Sequence, residues 1–168
     1  MTLPERFKVL VITLSDRASG GEYKDLSGPA VMKYVRYIME SAGWAYEMKS
    51  VLIPDDATRL KEVMASAAGH TDLIITTGGT GIGPRDVTVD VIKPLLTKEL
   101  PGIMEHIRVK YGSENHNALI SRAVAGVIDK TLVYTLPGSV KAVHEYMSEI
   151  VKTMEHTFCM LYGVDRHK

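Results

Sequence analysis

Thr76-Thr77-Gly78-Gly79-Thr80-Gly81-Ile82-Gly83-Pro84-Arg85-Asp86-Val87-Thr88 is the stretch on which the reading of this chain turns. The apolar run Leu73-Ile74-Ile75 enters it, and a helix-like segment beginning near Val89 leaves it. Between the two stand four glycines, an arginine and an aspartate. Glycine lets a backbone turn tightly and approach a ligand closely, because no side chain intervenes. Threonine hydroxyls and exposed amides in such a turn are natural partners for phosphate oxygens. The stretch reads as an anion-binding loop between a strand and a helix, with a carboxylate at its exit. The plain alternative is a glycine-rich connection, but generic turns seldom set so many glycines beside a charged pair.

Upstream, Phe7-Lys8-Val9-Leu10-Val11-Ile12-Thr13-Leu14 is a nearly continuous β-branched and aliphatic run, which predicts a strand covered on both faces. It ends in the polar, glycine-containing segment Ser15-Asp16-Arg17-Ala18-Ser19-Gly20-Gly21. A helix is expected to follow, capped by Ser27 or Gly28 with Pro29 in its first turn, its apolar face formed by Val31, Met32, Val35, Ile38 and Met39. Tyr34 and Tyr37 are read as bordering that face. Residues 44–53 predict a second strand, nearer an edge, and Asp55 or Asp56 can cap a helix over 59–68. Residues 71–77 form the strand that feeds the glycine loop.

Downstream, Thr88 is the expected cap of a short helix that Pro94 must end or kink. Leu100-Pro101-Gly102 reads as a turn before a helix over 103–111. The runs 123–128 and 131–136, joined at Asp129-Lys130, predict a hairpin. Pro137-Gly138-Ser139 is a second glycine-containing loop at a strand end. A long helix over 140–161 closes the chain, with Val143, Met147, Ile150, Val151, Met154, Phe158 and Leu161 on one stripe. Strands alternating with helices predict an α/β fold, a three-layer αβα sandwich around a mainly parallel sheet.

With 168 residues, the chain is read as a single domain able to bury roughly 68–70% of its extended surface. Apolar and charged contents of 45% and 24% are ordinary for a soluble globular protein. Twenty basic residues balance twenty acidic ones, so no overall field argues for nucleic acid or a membrane surface. The single Cys159 rules out an internal disulfide and fits a reducing compartment, and it is read as a core residue of the last helix. No apolar run of signal-peptide or membrane-spanning length is seen, so the expected location is the cytoplasm.

In a parallel sheet the loops following the strands share one edge. The segments at 15–21, 55–56, 78–88 and 137–139 are therefore expected to meet in one crevice. They would gather Asp55, Asp86, glycine and threonine groups, and the cations Arg17, Arg85 and Lys141. That inventory suits a phosphorylated ligand with magnesium, which takes one or two carboxylates together with ligand phosphates. The lysine of a P-loop and the spacing of a dinucleotide fingerprint are both missing. His70, His106, His116, His144, His156 and His167 show no ligand-pair spacing, and surface positions account for them.

Several segments then coincide with one family. Thr76-Thr77-Gly78-Gly79-Thr80-Gly81 with Arg85-Asp86-Val87-Thr88 closely resembles the signature of the molybdopterin adenylyltransferases (Mog/MoaB-like proteins). Ser15-Asp16-Arg17, Asp25 with Ser27-Gly28, Ile53-Pro54-Asp55-Asp56, Glu99-Leu100-Pro101-Gly102, residues 119–126 and Leu136-Pro137-Gly138-Ser139 resemble further family segments, in family order. The resemblance covers about residues 8–161. Val89 and Val140 stand where the family commonly has proline, and neither departure removes a charged group.

The resemblance implies a compact, usually trimeric α/β protein of molybdenum cofactor biosynthesis. In the catalytic branch, the terminal phosphate of molybdopterin would attack the α-phosphorus of ATP, with magnesium, giving adenylyl-molybdopterin and pyrophosphate ahead of molybdate insertion by another enzyme. The family's two functional aspartates carry over to Asp55 and Asp86, and its pterin and phosphate contacts to residues 76–81, Ser121-Arg122 and Pro137-Gly138-Ser139. Ser15, Asp16, Arg17 and Arg85 complete the expected binding set. The alternative within the MoaB branch is a protein that binds molybdopterin without turning it over. A scaffold role for the last helix ranks below both.

Overall fold

Side-chain parity along the central strands fixes the layering. In the computed structural model, which describes residues 2–165, β1 (Phe7–Leu14) sends Phe7, Val9 and Val11 to one face of the sheet and Ile12 and Leu14 to the other. β3 (Leu73–Thr77) divides Leu73 and Ile75 from Ile74, and β6 (Thr131–Leu136) divides Leu132, Tyr134 and Leu136 from Val133. Alternate residues of a strand point to opposite faces, so these uninterrupted apolar runs demand helices on both sides. One face is covered by α2 (Ser27–Ser41), α5 (Pro101–Gly112) and α6 (Val140–Leu161). The other is covered by α3 (Ala57–Ala67) and α4 (Thr88–Ile92). The expected three-layer αβα sandwich is what forms.

The sheet has six strands in the order β2-β1-β3-β6-β5-β4, with β2 spanning Tyr46–Ile53, β5 Ala125–Ile128 and β4 Lys98–Glu99. β2, β1, β3 and β6 run parallel, while β5 and β4 are antiparallel additions. The hairpin of β5 and β6 turns at Asp129, whose φ of 52° is a left-handed conformation that aspartate tolerates better than most residues. The chain leaves β1 for β2 on one side and leaves β3 for β6 on the other. The crevice between β1 and β3 is therefore the switch point at which open α/β sheets bind ligands.

Several local expectations are corrected. α2 is not capped by Ser27 or Gly28: the amides of both donate to Asp25 Oδ1, at 3.0 and 3.1 Å. Of the two aspartates expected to cap α3, Asp56 does so, accepting the Arg59 amide at 2.7 Å. Thr88 does not cap α4; its buried hydroxyl donates to the Gly78 carbonyl at 2.8 Å and staples the glycine loop shut. Residues 100–102 are not a free turn, because Pro101 begins α5, where its missing N–H costs nothing. Tyr37 is exposed, while Tyr34 packs against the core as expected. Three elements have no counterpart in the sequence reading: the two-residue edge strand β4, the single-turn helix α1 (Asp16–Ser19) and a 3-10 turn over His116–Ile120.

Cys159 is buried at 2% exposure among the α6 contacts. His70, His106, His116, His144 and His156 are exposed, and His167 lies outside the described residues. No group of three metal-ligating side chains that could hold an ion exists among the described residues. No described helix is long and apolar enough to cross a membrane.

One charged cluster braces α5 against α6. Glu149 is almost covered, and accepts from Lys110 at 2.7 Å and from Lys152 at 2.9 Å, with His106 3.2 Å away. Lys110 and Lys152 hold its carboxyl down at about 2. A carboxylate with a lowered folded pKa stabilises the fold above its unfolded pKa, and that contribution is lost as pH falls through the folded value. Glu149→Gln is thus expected to unfold at lower temperature than the parent at pH 7. The gap should close between about pH 4.5 and about 2, a trend checked by melting both proteins across that range.

Candidate active site

The glycine loop is shaped by contacts that exclude side chains. Gly78 (φ +104°) lies against the backbone carbonyl of Leu14 at the end of β1, and Gly79 (φ +66°) against the Thr88 hydroxyl. Both conformations are left-handed and favour glycine. The Gly78 amide donates to Leu136 O, and the Thr77 hydroxyl donates to Pro137 O at 2.9 Å, so the second loop is tied to the first. The four predicted loops do converge at one edge of the sheet, and they enclose two neighbouring cavities.

The first cavity, about 550 Å³, lies over the β1–β3 switch point. Ser15, Asp16, Arg17, Asp55, Gly78, Gly79, Arg85, Asp86, Gly138 and Ser139 line it, together with Tyr23 and Asp25. The second, about 510 Å³, is lined by Gly79, Thr80, Gly81, Asp86, Ser121, Pro137, Gly138 and Ser139. Asn115, Asn117, Ile120, Lys141 and Tyr146 complete its walls. Gly79, Asp86, Gly138 and Ser139 belong to both and form the partition. A hollow of about 550 Å³ between β1, β2 and α3 lies away from these loops, and the pairs Lys49–Glu47 and Arg59–Glu62 offset charge along it.

Asp55 and Asp86 face the same cavity from different strand ends. Asp86 Oδ2 accepts the Gly83 amide at 2.8 Å, which fixes the carboxylate at the loop exit. Asp55 and Asp16 form a reciprocal pair: the Asp16 amide donates to Asp55 Oδ2 at 2.9 Å, and the Asp55 amide to Asp16 Oδ1 at 3.0 Å. Burial pushes the Asp55 carboxyl up, and the nearby Asp16 and Asp86 charges push the same way, against the Asp16 amide bond and Arg85. The Asp16 carboxyl is held low, chiefly by a two-pronged bond from Arg85 at 2.8 and 2.9 Å. Ser15 caps α1 through the Ala18 amide, and Arg17 lies 5.1 Å from the Tyr23 ring. Ser139 caps α6, a helix of 22 residues whose positive end therefore points at both cavities.

Three predicted site residues line neither cavity. Thr76 and Thr77 are fully buried, and the Thr76 hydroxyl has no hydrogen-bond partner among the described residues. Arg122 donates to Gly81 O at 2.7 Å, to Asp86 O at 2.9 Å, and to both oxygens of Asp90 at 2.7 and 3.0 Å. It grips the glycine loop from behind at the segment carrying Asp86. Arg122→Ala should cost about 1–2 kcal/mol of stability by taking the donor from the Gly81 and Asp86 carbonyls. Denaturant melts of parent and variant measure that loss. Ser121 stands 3.4 Å from the Thr80 hydroxyl. Sequence reasoning missed Asn115, Asn117 and Tyr146. Tyr146 sits beside the apolar stripe of α6 and looks like core, and no local pattern distinguishes its cavity-lining edge.

Residues 10–156 match the family described as "Probable molybdopterin binding domain". The chain belongs to that family. A molybdopterin adenylyltransferase of Pyrococcus furiosus is 38% identical over 156 residues, spanning 89% of this chain and 88% of that protein. Dictyostelium discoideum gephyrin is 34% identical across 94% of this chain, but the chain spans only 23% of gephyrin's length. Among solved structures, the tungsten cofactor synthesizing protein MoaB of P. furiosus superposes with a TM-score of 0.78 at 33% identity, covering 96% of this chain and 99% of that one. Membership places the chain in molybdenum cofactor biosynthesis, and family resemblance and fold agree on it.

Proposed function

We propose that this chain is a molybdopterin adenylyltransferase that joins AMP from ATP to the phosphate of molybdopterin and releases pyrophosphate. The observation that carries the reading is the pair of cavities sharing one wall, with Asp55 and Asp86 on the charged side. Two compartments meeting at a glycine partition suit a reaction between two bound molecules. The carboxylate-rich cavity takes the triphosphate, and the cavity with Asn115, Asn117, Ile120 and Tyr146 takes the pterin, whose edge carries hydrogen-bonding groups around an aromatic ring. Lys141 and the α6 amino end draw the pterin's phosphate toward the partition.

The nucleophile is a phosphate monoester with a second pKa of about 6, so it is largely dianionic at neutral pH and needs no general base. What the chain must supply is alignment and charge neutralisation. Asp55 and Asp86 each spend Oδ2 on a backbone amide and keep Oδ1 as a potential ligand. Two carboxylates fit magnesium, which prefers few protein ligands plus phosphate oxygens, and a fuller protein cage is not formed by the described residues. When bound, the ion offsets phosphate charge. Arg17 and Arg85 hold phosphate oxygens, Ser15, Asp16 and the Gly78–Gly81 backbone set the entrance, and Thr76, Thr77 and Arg122 support the loop from behind.

The reading includes one molybdopterin-binding domain, a homotrimer or dimer of trimers, a cytoplasmic location, and hand-over of product to a molybdate-inserting enzyme. The test is direct. Purified protein incubated with molybdopterin and Mg-ATP should yield adenylyl-molybdopterin and pyrophosphate in equal amounts. Tight molybdopterin binding with no product would replace this reading by that of a binding protein.

A further inference from the structure

Arg85 is an exposed cation at the first cavity, and its partner is a carboxylate of the same cavity. Its side chain is 61% exposed, it extends from the glycine loop, and it closes a bidentate fork on Asp16, itself 43% exposed. A guanidinium fork recognises carboxylate and phosphate through the same geometry. Asp16 is bound twice over: Oδ1 accepts both Arg85 Nη2 and the Asp55 amide, and Oδ2 accepts Arg85 Nε. Losing Arg85 would leave Asp16 anchored to β2 through the Asp55 amide and its own amide's bond to Asp55. The pair can therefore open without dismantling the loops on either side.

We infer that Asp16 acts as an internal stand-in for phosphate: it holds Arg85 in the nucleotide-free chain and yields it to the polyphosphate on binding. This rests on the adenylyl-transfer reading and adds a resting state to it. Water screens an ion pair between exposed side chains, so the hold is weak enough to be broken by a multiply charged phosphate. The exchange keeps the guanidinium positioned over the cavity mouth in the absence of nucleotide, and it makes Asp16 a competitor for the group that nucleotide needs. Asp16 in this role is a positioning residue.

Asp16→Asn separates the ion pair from the loop tie, because the amide oxygen of asparagine can still accept from the Asp55 N–H. Calorimetric titration with a non-hydrolysable Mg-ATP analogue should show Asp16→Asn binding about two- to fivefold more tightly than the parent. Arg85→Gln should bind more weakly than the parent. In the double variant the gain from Asp16→Asn should vanish, since nothing remains to be released. An equal gain with or without Arg85 would mean simple relief of charge repulsion and would overturn the inference. So would unchanged or weaker binding by Asp16→Asn. The side-chain NεH resonance of Arg85, assigned through Arg85→Lys, provides a measurement on the unmodified site: it should shift on nucleotide addition, and a fixed resonance would overturn the exchange. If the parent binds no nucleotide, the adenylyl-transfer reading fails and this inference falls with it; if the parent binds but these responses are missing, only the inference fails.

Discussion

Asp55→Asn is expected to lower adenylyl transfer at least about 100-fold in kcat and yet to melt at a higher temperature than the parent at neutral pH. The two effects share one cause. Burial, with the Asp16 and Asp86 charges, raises the Asp55 carboxyl above 3.8. For an acid whose folded pKa is raised, the favourable contribution exists in the protonated form, below the unfolded pKa, and is lost as pH rises through the folded value. At pH 7 the ionised Asp55 is thus a local cost to the fold. Asparagine removes that charge while keeping an oxygen for the Asp16 amide. The melting temperature should rise by a few degrees at most, and the difference from the parent should close below about pH 4. Activity is lost because the neutral amide is a poor ligand for magnesium and offsets none of its charge. Asp86→Asn should also lose turnover. Steady-state kinetics beside thermal melts from pH 3 to 8 test both halves; a fully active Asp55→Asn would refute the role assigned to that carboxylate.

The second large effect is structural. Gly78→Ala is expected to cost about 3 kcal/mol or more and to abolish activity with it. At φ +104° an L residue is strained, and the new methyl would strike the Leu14 carbonyl, a backbone atom that cannot rotate aside. Relief would require separating β1 from the glycine loop, which moves Asp86 away from Asp55. Gly102, in the first turn of α5, provides the contrast, since nothing lies within 4 Å of an added Cβ there. Gly102→Ala should be neutral or stabilising by up to about 1 kcal/mol, because alanine is the better helix former. Urea unfolding of the two variants against the parent distinguishes a site-specific collision from general intolerance of alanine for glycine.

What the sequence made legible follows from the strength of each physical signal. The runs at 7–14, 73–77 and 131–136 are apolar on both parities, which is a long-range demand for cover on two faces, and the sandwich follows from it. The glycine loop and the aspartates at strand ends were legible because parallel strands deliver their following loops to one edge. The local errors arose where two donors or acceptors compete. Thr88 looks like a helix cap, but the nearer Gly78 carbonyl takes its hydroxyl. Ser27 looks like a cap, but its hydroxyl and amide both donate to Asp25, whose carboxylate holds the start of α2 instead. β4 contributes only two residues, and α1 only four, lengths at which neither periodicity can register. The motif suggests a ligand contact for Arg122, but its grip on Gly81, Asp86 and Asp90 depends on its own segment lying against the loop, where the Arg122 amide donates to Thr80 O, a tertiary fact no local pattern contains.

The burial of Cys159 gives the molecule an internal clock. The residue is 2% exposed and sits in the last turn of the longest helix. A thiol reagent can reach it only when the C-terminal end of that helix opens, so its labelling rate reads the frequency of opening rather than the chemistry of sulfur. With one cysteine in the chain, the signal has a single source. Every variant above can be ranked by how often the end of its longest helix opens, under native conditions and without denaturant.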